Sequence, residues 1–211
     1  MKPAIVKLGG STAGETQMQH WIDAIVNAAF PVVIVPGGGP FADQVRISQR
    51  RLDYSDQAAH AMAILAMDQF GIAIAERHPS LRMARTVHEI EAFLYMGHTP
   101  VWLPSAMTIG AADIPCSWDI TSDSLSAWLA GVLSADDMLL IKQTDEYQHF
   151  PTLEELAAAG IVDGMLTAML TGDIRVHIAG PQIMNWLDLP LTKIPGSLIL
   201  QDRQIEAMSL R

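Results

Sequence analysis

Two glycine-rich turns each follow a short apolar run of the kind that forms a buried strand. LGGS at 8–11 follows PAIVKL, and PGGGP at 36–40 follows PVVIV. In an open α/β sheet, ligands collect beyond the carboxyl ends of the strands, where backbone N–H groups and helix N-termini face an anion. Neither turn has G-x-G-x-x-G or G-x-x-x-x-G-K-[ST] spacing, so the usual dinucleotide and Walker loops are not indicated. Taken alone, each turn also has a structural explanation, since glycine is the ordinary residue at positive φ.

Lys7 adds a chemical reason for these turns. It lies at the end of an otherwise apolar strand, one residue before the first pair of glycines. A cation delivered beside a group of backbone amides is what a transferring phosphoryl group needs. The pattern therefore indicates phosphoryl transfer, with phosphates bound near one or both turns.

A third polar segment, SWDITSDSLSAW at 117–128, opens a predicted helix. Asp, Ser and Thr are the favoured N-cap residues, so Asp119, Thr121 or Ser122 is expected to cap this helix. Asp119 and Asp123 are four residues apart and could share a face if the helix starts early. An acidic group here could hold Lys7 in position or orient a metal-bound nucleotide.

The rest of the chain alternates short apolar runs with helical patterns, which predicts a parallel sheet with crossover helices. Strands are predicted at 3–8, 31–35, 71–76, 136–143, 175–180 and 196–201, with a strand and loop at 99–105. Helices are predicted at 18–29, 55–71, 86–97, 120–135 and 151–160. The 55–71 helix begins at Ser55 or Asp56 and is expected to end at Gly71. Thr152 and Glu155 form a capping-type start for the last predicted helix.

Composition limits the class of protein. The chain has 211 residues, half of them apolar and 17% charged, which predicts a single globular domain over 1–211. The net charge is −10, and the 13 basic residues form no stripe, so partners such as nucleic acid or a membrane surface are not expected. The single Cys116 excludes an internal disulfide and suits a reducing cytoplasm. Neither a signal peptide nor a membrane span is expected, and no histidine cluster predicts a transition metal.

The order K-x-G-G-S, P-G-G-G-x-F-A and T-S-D-S resembles the amino acid kinase superfamily, over nearly the whole chain. The resemblance implies a three-layer αβα sandwich with a mainly parallel central sheet and an ATP-dependent kinase that uses Mg²⁺. It also implies a homo-oligomer, with the apolar helices at 18–29 or 55–71 available for an interface. It implies that Lys7 stabilises the transferring phosphoryl group and that Asp123 fixes this lysine. The implied nucleotide-binding residues are Gly9, Gly10, Ser11, Lys142 and Asp145, and Gly37, Gly38 and Gly39 would receive the acceptor.

Within that superfamily, the chain is similar to the kinases of methanofuran-type coenzyme biosynthesis, whose acceptor is an aminomethylfuran methanol phosphate. The matching features are VPGGGPFADQVR, LPS, SWDITSDSLS and the spacing of His60, Met67 and Asp68. His60 and Asp68 could face one pocket, where the carboxylate of Asp68 would meet the substrate amine. Trp118 could stack on the furan ring, and Ser122 would also contact substrate. A core position is the alternative explanation for His60 and for Trp118.

Two departures leave alternatives open. Many superfamily members carry a second lysine in a G-M-x-x-K stretch, and Ala168 stands at that place in VDGMLTAML. The usual T-D-V-D-G nucleotide loop is represented by KQTDEY at 142–147. Two explanations are open: Lys142 replaces the second lysine, or the subfamily does not use one. A kinase for uridylate or an isoprenoid phosphate, and a non-catalytic sensor of a phosphorylated metabolite, are the competing interpretations.

Overall fold

Seven strands form one central sheet, and helices cover both of its faces. The computed structural model describes residues 2–10, 16–186, 190–202 and 204–205. The strands are β1 Ala4–Leu8, β2 Val32–Pro36, β3 Leu81–Ala84, β4 Thr99–Trp102, β5 Asp137–Ile141, β6 Arg175–Ala179 and β7 Ser197–Ile199. They lie in the order β3-β4-β2-β1-β5-β6-β7, and every pair is parallel except β6 with β7. The predicted αβα sandwich with a mainly parallel sheet is confirmed.

The helices connect the strands and supply the two outer layers. They are α1 Thr16–Val26, α2 Gly39–Leu52, α3 Asp56–Ala75, α4 Val87–Tyr95, α5 Ser105–Thr108, α6 Ser122–Val132, α7 Leu153–Ala158 and α8 Leu166–Met169. Short 3-10 segments span Glu146–His149 and Pro181–Trp186. The Ser55 cap is confirmed, because its side chain accepts a hydrogen bond from the backbone N–H of Ala58. Thr152 likewise accepts from the N–H of Glu155.

The strand predicted at 71–76 is wrong, because α3 continues through Gly71 to Ala75. Gly71 was interpreted as a helix stop. In the structure, a Cβ at this position would lie 2.6 Å from Cδ2 of Leu103 and 3.2 Å from Cγ of Pro36. This glycine therefore allows the helix to approach the ends of two strands closely, and it does not interrupt the helix. The sequence interpretation also missed α2 and β3.

The pleat of the sheet decides which side chains meet at its carboxyl edge. Successive residues of a strand point to opposite faces. Val6 and Leu8 pack in the cluster that contains α1, whereas Ile5 packs in the cluster that contains α6. Lys7 has the parity of Ile5, and Lys142 has the parity of Leu140, which also packs on the α6 side. Both lysines therefore emerge on the face that α6 covers.

By length and composition, α3 is the one helix in the described part of the chain that could cross a membrane, with a mean hydropathy of 1.4 over its apolar window. Core helices meet the same criterion, and 44% of this window is buried inside the fold. Its side chains Ile64, Phe70 and Ile74 pack in the two hydrophobic clusters on the sheet. These contacts place α3 in the outer layer of the sandwich.

Candidate active site

Asp123 joins two lysines at the carboxyl edge of the sheet. Nζ of Lys7 lies 2.9 Å from Oδ1 of Asp123, and Nζ of Lys142 lies 2.5 Å from Oδ2. The three side chains are only 9%, 13% and 3% exposed, in the order Lys7, Lys142, Asp123. They come from β1, the end of β5 and the first turn of α6. The predicted contact between Lys7 and Asp123 is therefore present, and Lys142 completes it from the other side.

This cluster carries a net positive charge in a site shielded from water. Burial by itself would raise the pKa of Asp123, but the charges of Lys142 and Lys7 outweigh burial and hold that pKa well below the usual aspartate value. Burial lowers the pKa of Lys142, and the charge of Asp123 only partly offsets this effect. With all three groups ionised, the cluster has two positive charges and one negative charge, and the Asp163 carboxylate acts on Lys142 from outside it. Lys7 is the cation of this cluster that an anion entering the cavity would meet.

The helix that carries Asp123 is capped from a distant part of the chain. Asp163 accepts hydrogen bonds from the backbone N–H of Thr121 at 2.8 Å, from Oγ1 of Thr121 at 2.6 Å and from the N–H of Ser124 at 2.9 Å. Thr121 occupies the N-cap position, but its own side chain makes no capping bond. The expectation that Thr121 could occupy the N-cap is confirmed, but the capping hydrogen bonds come from Asp163 and not from a local side chain. Sequence inspection missed Asp163 because the cap lies about forty residues downstream, beyond any local pattern.

The two glycine-rich turns pack directly against each other. A Cβ on Gly10 would overlap the backbone N and Cα of Gly39, and a Cβ on Gly37 would overlap the backbone N of Gly10. Gly38 faces the Cβ of Ala42 in the same way, and Gly39 has a φ of +55° beside the ring of Phe70. The sequence indicates phosphates bound near one or both turns. The structure adds a second reason for Gly10 and Gly37, since each leaves space for the other turn where the ends of β1 and β2 meet beside Lys7.

A cavity of about 280 Å³ opens next to Lys7. Its wall includes Gly10, the two glycines that begin α2, and one face each of α2 and α3. Its polar and charged side chains are Lys7, Asp43, Arg46, His60, Trp118, Thr121 and Ser122. This volume is at the small end of the range for ligand pockets. The structure thus brings the predicted residues Gly38, Gly39, His60, Trp118 and Ser122 to one cavity with Lys7.

Trp118 and Arg46 form one side of this cavity. The guanidinium of Arg46 lies 4.6 Å from the centre of the Trp118 ring, and the indole N–H donates to Oε1 of Gln49 at 2.9 Å. One face of the indole is therefore covered by a cation. Arg46 was not singled out from the sequence, where it lies in the α2 segment that was missed. The periodic positions 39, 42, 43 and 46 would have indicated a shared helix face.

Asp68 has a different position from the one predicted. Its Oδ1 accepts from the backbone N–H of Ser105 at 3.1 Å, and its Oδ2 accepts from the Ser105 hydroxyl. Asp68 does not line the cavity that contains His60 and Lys7. The hydrogen-bonding needs of this carboxylate are met by Ser105, in the segment after β4. We therefore correct its assignment as a partner of the substrate amine to a structural contact.

Two of the predicted nucleotide residues belong to the site already described, because Gly10 lines the cavity and Lys142 is one of the two lysines on Asp123. Asp145 does not line that cavity. Asp145 accepts from the backbone N–H of Gln182 at 3.2 and 3.3 Å, which anchors the segment after β6. Ser11 lies outside the described residues, and Gly9 directly follows β1. Ala168 is exposed on α8, so the place of the superfamily's second lysine carries no charge here. These loops surround the carboxyl ends of β1, β5 and β6.

The described residues show no group of three or more His, Cys, Asp or Glu side chains placed to hold a metal ion. Asp123 is already occupied by two ammonium groups. Mg²⁺ commonly keeps several waters and binds through substrate phosphates with only one or two carboxylates. The residues of this site thus do not form a protein cage for Mg²⁺, and the two lysines supply the fixed positive charge.

Comparison with known proteins agrees with this geometry. Residues 2–154 match the sequence pattern of the amino acid kinase family. A curated relative, the (5-(aminomethyl)furan-3-yl)methyl phosphate kinase of Methanocaldococcus jannaschii, is 31% identical over 152 residues, which cover 70% of this chain and 69% of the relative.

Solved structures share the fold. The uridylate kinase of Archaeoglobus fulgidus has a TM-score of 0.65 at 18% identity, over 95% of this chain and 100% of that one. The UMP kinase of Ureaplasma parvum has a TM-score of 0.62 at 14% identity, over 88% and 92%. The resemblance inferred from the three motifs is confirmed, as is the interpretation as a phosphotransferase. This chain belongs to the amino acid kinase family.

Proposed function

We propose that this kinase transfers the γ-phosphoryl group of ATP to the phosphate of (5-(aminomethyl)furan-3-yl)methyl phosphate and forms the diphosphate. The observation that carries the proposal is the 31% identity to a relative named for that acceptor. The cavity beside Lys7 supports it, because about 280 Å³ suits a small monophosphate.

The proposed reaction needs no protein nucleophile. An oxygen of the acceptor phosphate attacks the γ-phosphorus, a new P–O bond forms there, and the bond to the β,γ-bridging oxygen breaks. ADP leaves with that electron pair. A phosphate monoester is mostly dianionic at neutral pH, since its second pKa is about 6, so no general base is required. Asp123 fits this scheme because each of its oxygens binds a lysine. Its role is therefore to hold the two ammonium groups in place and not to accept a proton.

The two lysines would then stabilise the charge on the transferring group. Lys7 lines the acceptor cavity, and Lys142 approaches the same carboxylate from the end of β5. Positioning and neutralisation of charge supply most of the catalysis in phosphoryl transfer. ATP as donor and Mg²⁺ bound through its phosphates are parts of this proposal.

The direct test incubates the purified chain with Mg-ATP and the aminomethylfuran phosphate, and follows the diphosphate by mass spectrometry. We expect the diphosphate from this acceptor, and much less product from UMP or isopentenyl phosphate. Lys7→Ala should lower turnover by about 10²-fold or more while the fold persists. Preference for UMP or for the isoprenoid phosphate would overturn the assigned acceptor, and absence of transfer to any of the three would favour a sensor.

We also propose that the chain forms a homo-oligomer through α3 and works in the cytoplasm. Leu65 and Ile72 are seven residues apart on α3 and are 46% and 44% exposed, which leaves an apolar strip on one face of the helix. The other suggested interface helix, α1, buries its large apolar residues in the fold. Glutamate at both positions should lower the mass measured by light scattering, whereas Ile109→Glu, an equally exposed site elsewhere, should not. An unchanged mass for the double variant would reject this interface.

A further inference from the structure

His60 presents an unused polar atom in the wall of the acceptor cavity. The side chain is buried on α3, with 6% of its surface exposed. Nδ1 lies 3.2 Å from the backbone oxygen of Ser117. Nε2 is shielded from water and has no hydrogen-bond partner among the described residues. Nδ1 therefore makes a hydrogen bond within the fold, whereas Nε2 makes none with the described residues.

The Ser117 contact determines which nitrogen carries the hydrogen. A backbone carbonyl can only accept, so Nδ1 must donate and carry the proton. Burial lowers the pKa of His60, and the Ser117 hydrogen bond raises it by less, so the ring is neutral at pH 7. A neutral ring protonated on Nδ1 has its lone pair on Nε2. The uncommitted atom is thus a buried hydrogen-bond acceptor, and leaving such an atom without a donor is costly.

The charged groups of the cavity narrow the choice of donor. Lys7 is held by Asp123, and Arg46 lies over Trp118. Among the described residues, Asp43 on α2 is the one carboxylate in the cavity wall. It forms no salt bridge with a described lysine, arginine or histidine. A lone-pair acceptor and a carboxylate in one cavity are suited to a protonated amine.

The two ends of the cavity differ in chemistry. At one end, Gly38 and Gly39 at the N-terminus of α2 share the cavity wall with Lys7. Along α3 the wall runs from Met67 back to His60, seven residues and roughly 10 Å of helix. A ligand with a phosphate at one end and a donor at the other would span this distance. The acceptor under Proposed function has that form, since its aminomethyl and phosphate groups are on opposite sides of a small ring.

We propose that Nε2 of His60 accepts a hydrogen bond from the protonated amine of the acceptor substrate, with the carboxylate of Asp43 supplying the opposite charge. This inference rests on the proposed function, because it identifies the subsite that selects an aminated acceptor. It replaces Asp68 in that role, since both oxygens of Asp68 bind Ser105.

Two substitutions test the roles of the two ring nitrogens of His60 separately. His60→Asn keeps a donor near the position of Nδ1 and removes the acceptor at Nε2. His60→Gln places an amide near Nε2 and gives up the bond to Ser117. Each variant, with Asp43→Asn, is assayed with the aminomethylfuran phosphate and with an analogue that carries a methyl group in place of the aminomethyl group.

We expect the ratio of kcat/KM for the aminated acceptor to that for the methyl analogue to fall about ten- to a hundredfold in His60→Asn and Asp43→Asn, mainly through KM of the aminated acceptor. His60→Gln should retain part of the preference. Calorimetric binding of the two acceptors without nucleotide should show the same loss. In wild type, ¹⁵N spectra should show an unprotonated Nε2 whose signal moves with the aminated acceptor and not with the analogue.

The outcomes distinguish this inference from the proposed function. If wild type makes no diphosphate from the aminated acceptor, the proposed function fails. If wild type makes it but the ratio is unchanged in His60→Asn, the amine subsite is wrong. An equal loss on both acceptors would show that His60 only supports the wall at Ser117 and Trp118. If His60→Asn does not fold, the ratio in Asp43→Asn and the ¹⁵N spectra decide.

Discussion

Lys142 lies 2.5 Å from Oδ2 of Asp123, so a lysine at the end of β5 shares the carboxylate that also holds Lys7. The superfamily pattern places a second lysine at the position of Ala168, which is exposed here. The positive charge that this place on α8 lacks is present instead directly after β5. The geometry therefore makes Lys142 the candidate for the second cation of phosphoryl transfer.

Lys142→Met should lower turnover by about 10²-fold or more without loss of stability. Burial lowers the pKa of Lys142, which means that the folded protein disfavours its charge relative to water. In Lys142→Met the Asp123 carboxylate keeps Lys7 as its partner, so no buried charge is left unpaired. Steady-state kinetics and thermal unfolding test the two parts. Lys2→Met is the matched control, since Lys2 forms an exposed pair with Asp136 away from the site.

Asp123→Asn should destabilise the fold by about 3–5 kcal/mol, because it leaves two buried ammonium groups without their carboxylate. Urea unfolding at neutral pH measures this loss. Adding Lys142→Met to Asp123→Asn should restore part of the stability and none of the turnover. A double variant no more stable than Asp123→Asn would contradict the account of the charge cluster.

The contribution of Asp123 to the free energy of unfolding should fall as the pH falls. Its folded pKa is lowered, so its contribution to stability is full above the ordinary value of 3.8 and is lost as the pH falls below that value. The difference in unfolding free energy between wild type and Asp123→Asn should therefore shrink on acidification below about pH 4. Urea titrations at a series of pH values measure this difference. A gap that stayed constant from pH 6 to pH 2 would mean that Asp123 is not the stabilising titrating group.

Asp163 should act as a positioning residue for Asp123. Asp163→Ala removes three hydrogen bonds at the start of α6, and we expect a stability loss of about 1–3 kcal/mol together with a lower kcat. The KM of the acceptor should change less than kcat. Asp163→Asn, which keeps an acceptor oxygen, should recover part of kcat. Asp119→Ala is the control, since the Asp119 carboxylate is exposed and, among the described contacts, accepts only from nearby Ser117. If Asp119→Ala lost as much kcat as Asp163→Ala, Asp163 would have no special role in positioning Asp123.

Asp68→Asn should reduce stability and leave the selectivity for an aminated acceptor unchanged. Both of its oxygens bind Ser105, so in Asn the remaining oxygen can accept from the Ser105 N–H, but an NH2 group replaces the charged oxygen that accepted from the Ser105 hydroxyl. Thermal unfolding and the ratio of kcat/KM for the aminated and methyl acceptors measure the two effects. Ser105→Ala is the matched variant and should give a smaller loss of stability with the same unchanged ratio. A selective loss of the aminated acceptor in Asp68→Asn would return this residue to the substrate site.

The sequence alone determined the features that depend on local order. Strand alternation fixes the faces of Lys7 and Lys142, and the two glycine-rich turns follow strands whose carboxyl ends must meet in a parallel sheet. The capping residues Ser55 and Thr152 were predictable because their hydrogen bonds reach only three residues along the chain. The order of the three motifs was enough to identify the family, since each motif marks the end of a strand or the start of a helix at the carboxyl edge of the sheet.

Tertiary structure decided which long-range partner each polar group and each glycine meets. Gly71 was interpreted as a helix stop because its contact with Leu103 cannot be read from its neighbours. Three other contacts also could not be read from sequence neighbours. They are the bond of Asp68 to Ser105, the capping of α6 by Asp163, and the packing of the Gly10 turn against the Gly37 turn. Periodicity reports which face of an element is apolar, but not which distant atom will lie against it. That atom is selected by the packing of the whole chain.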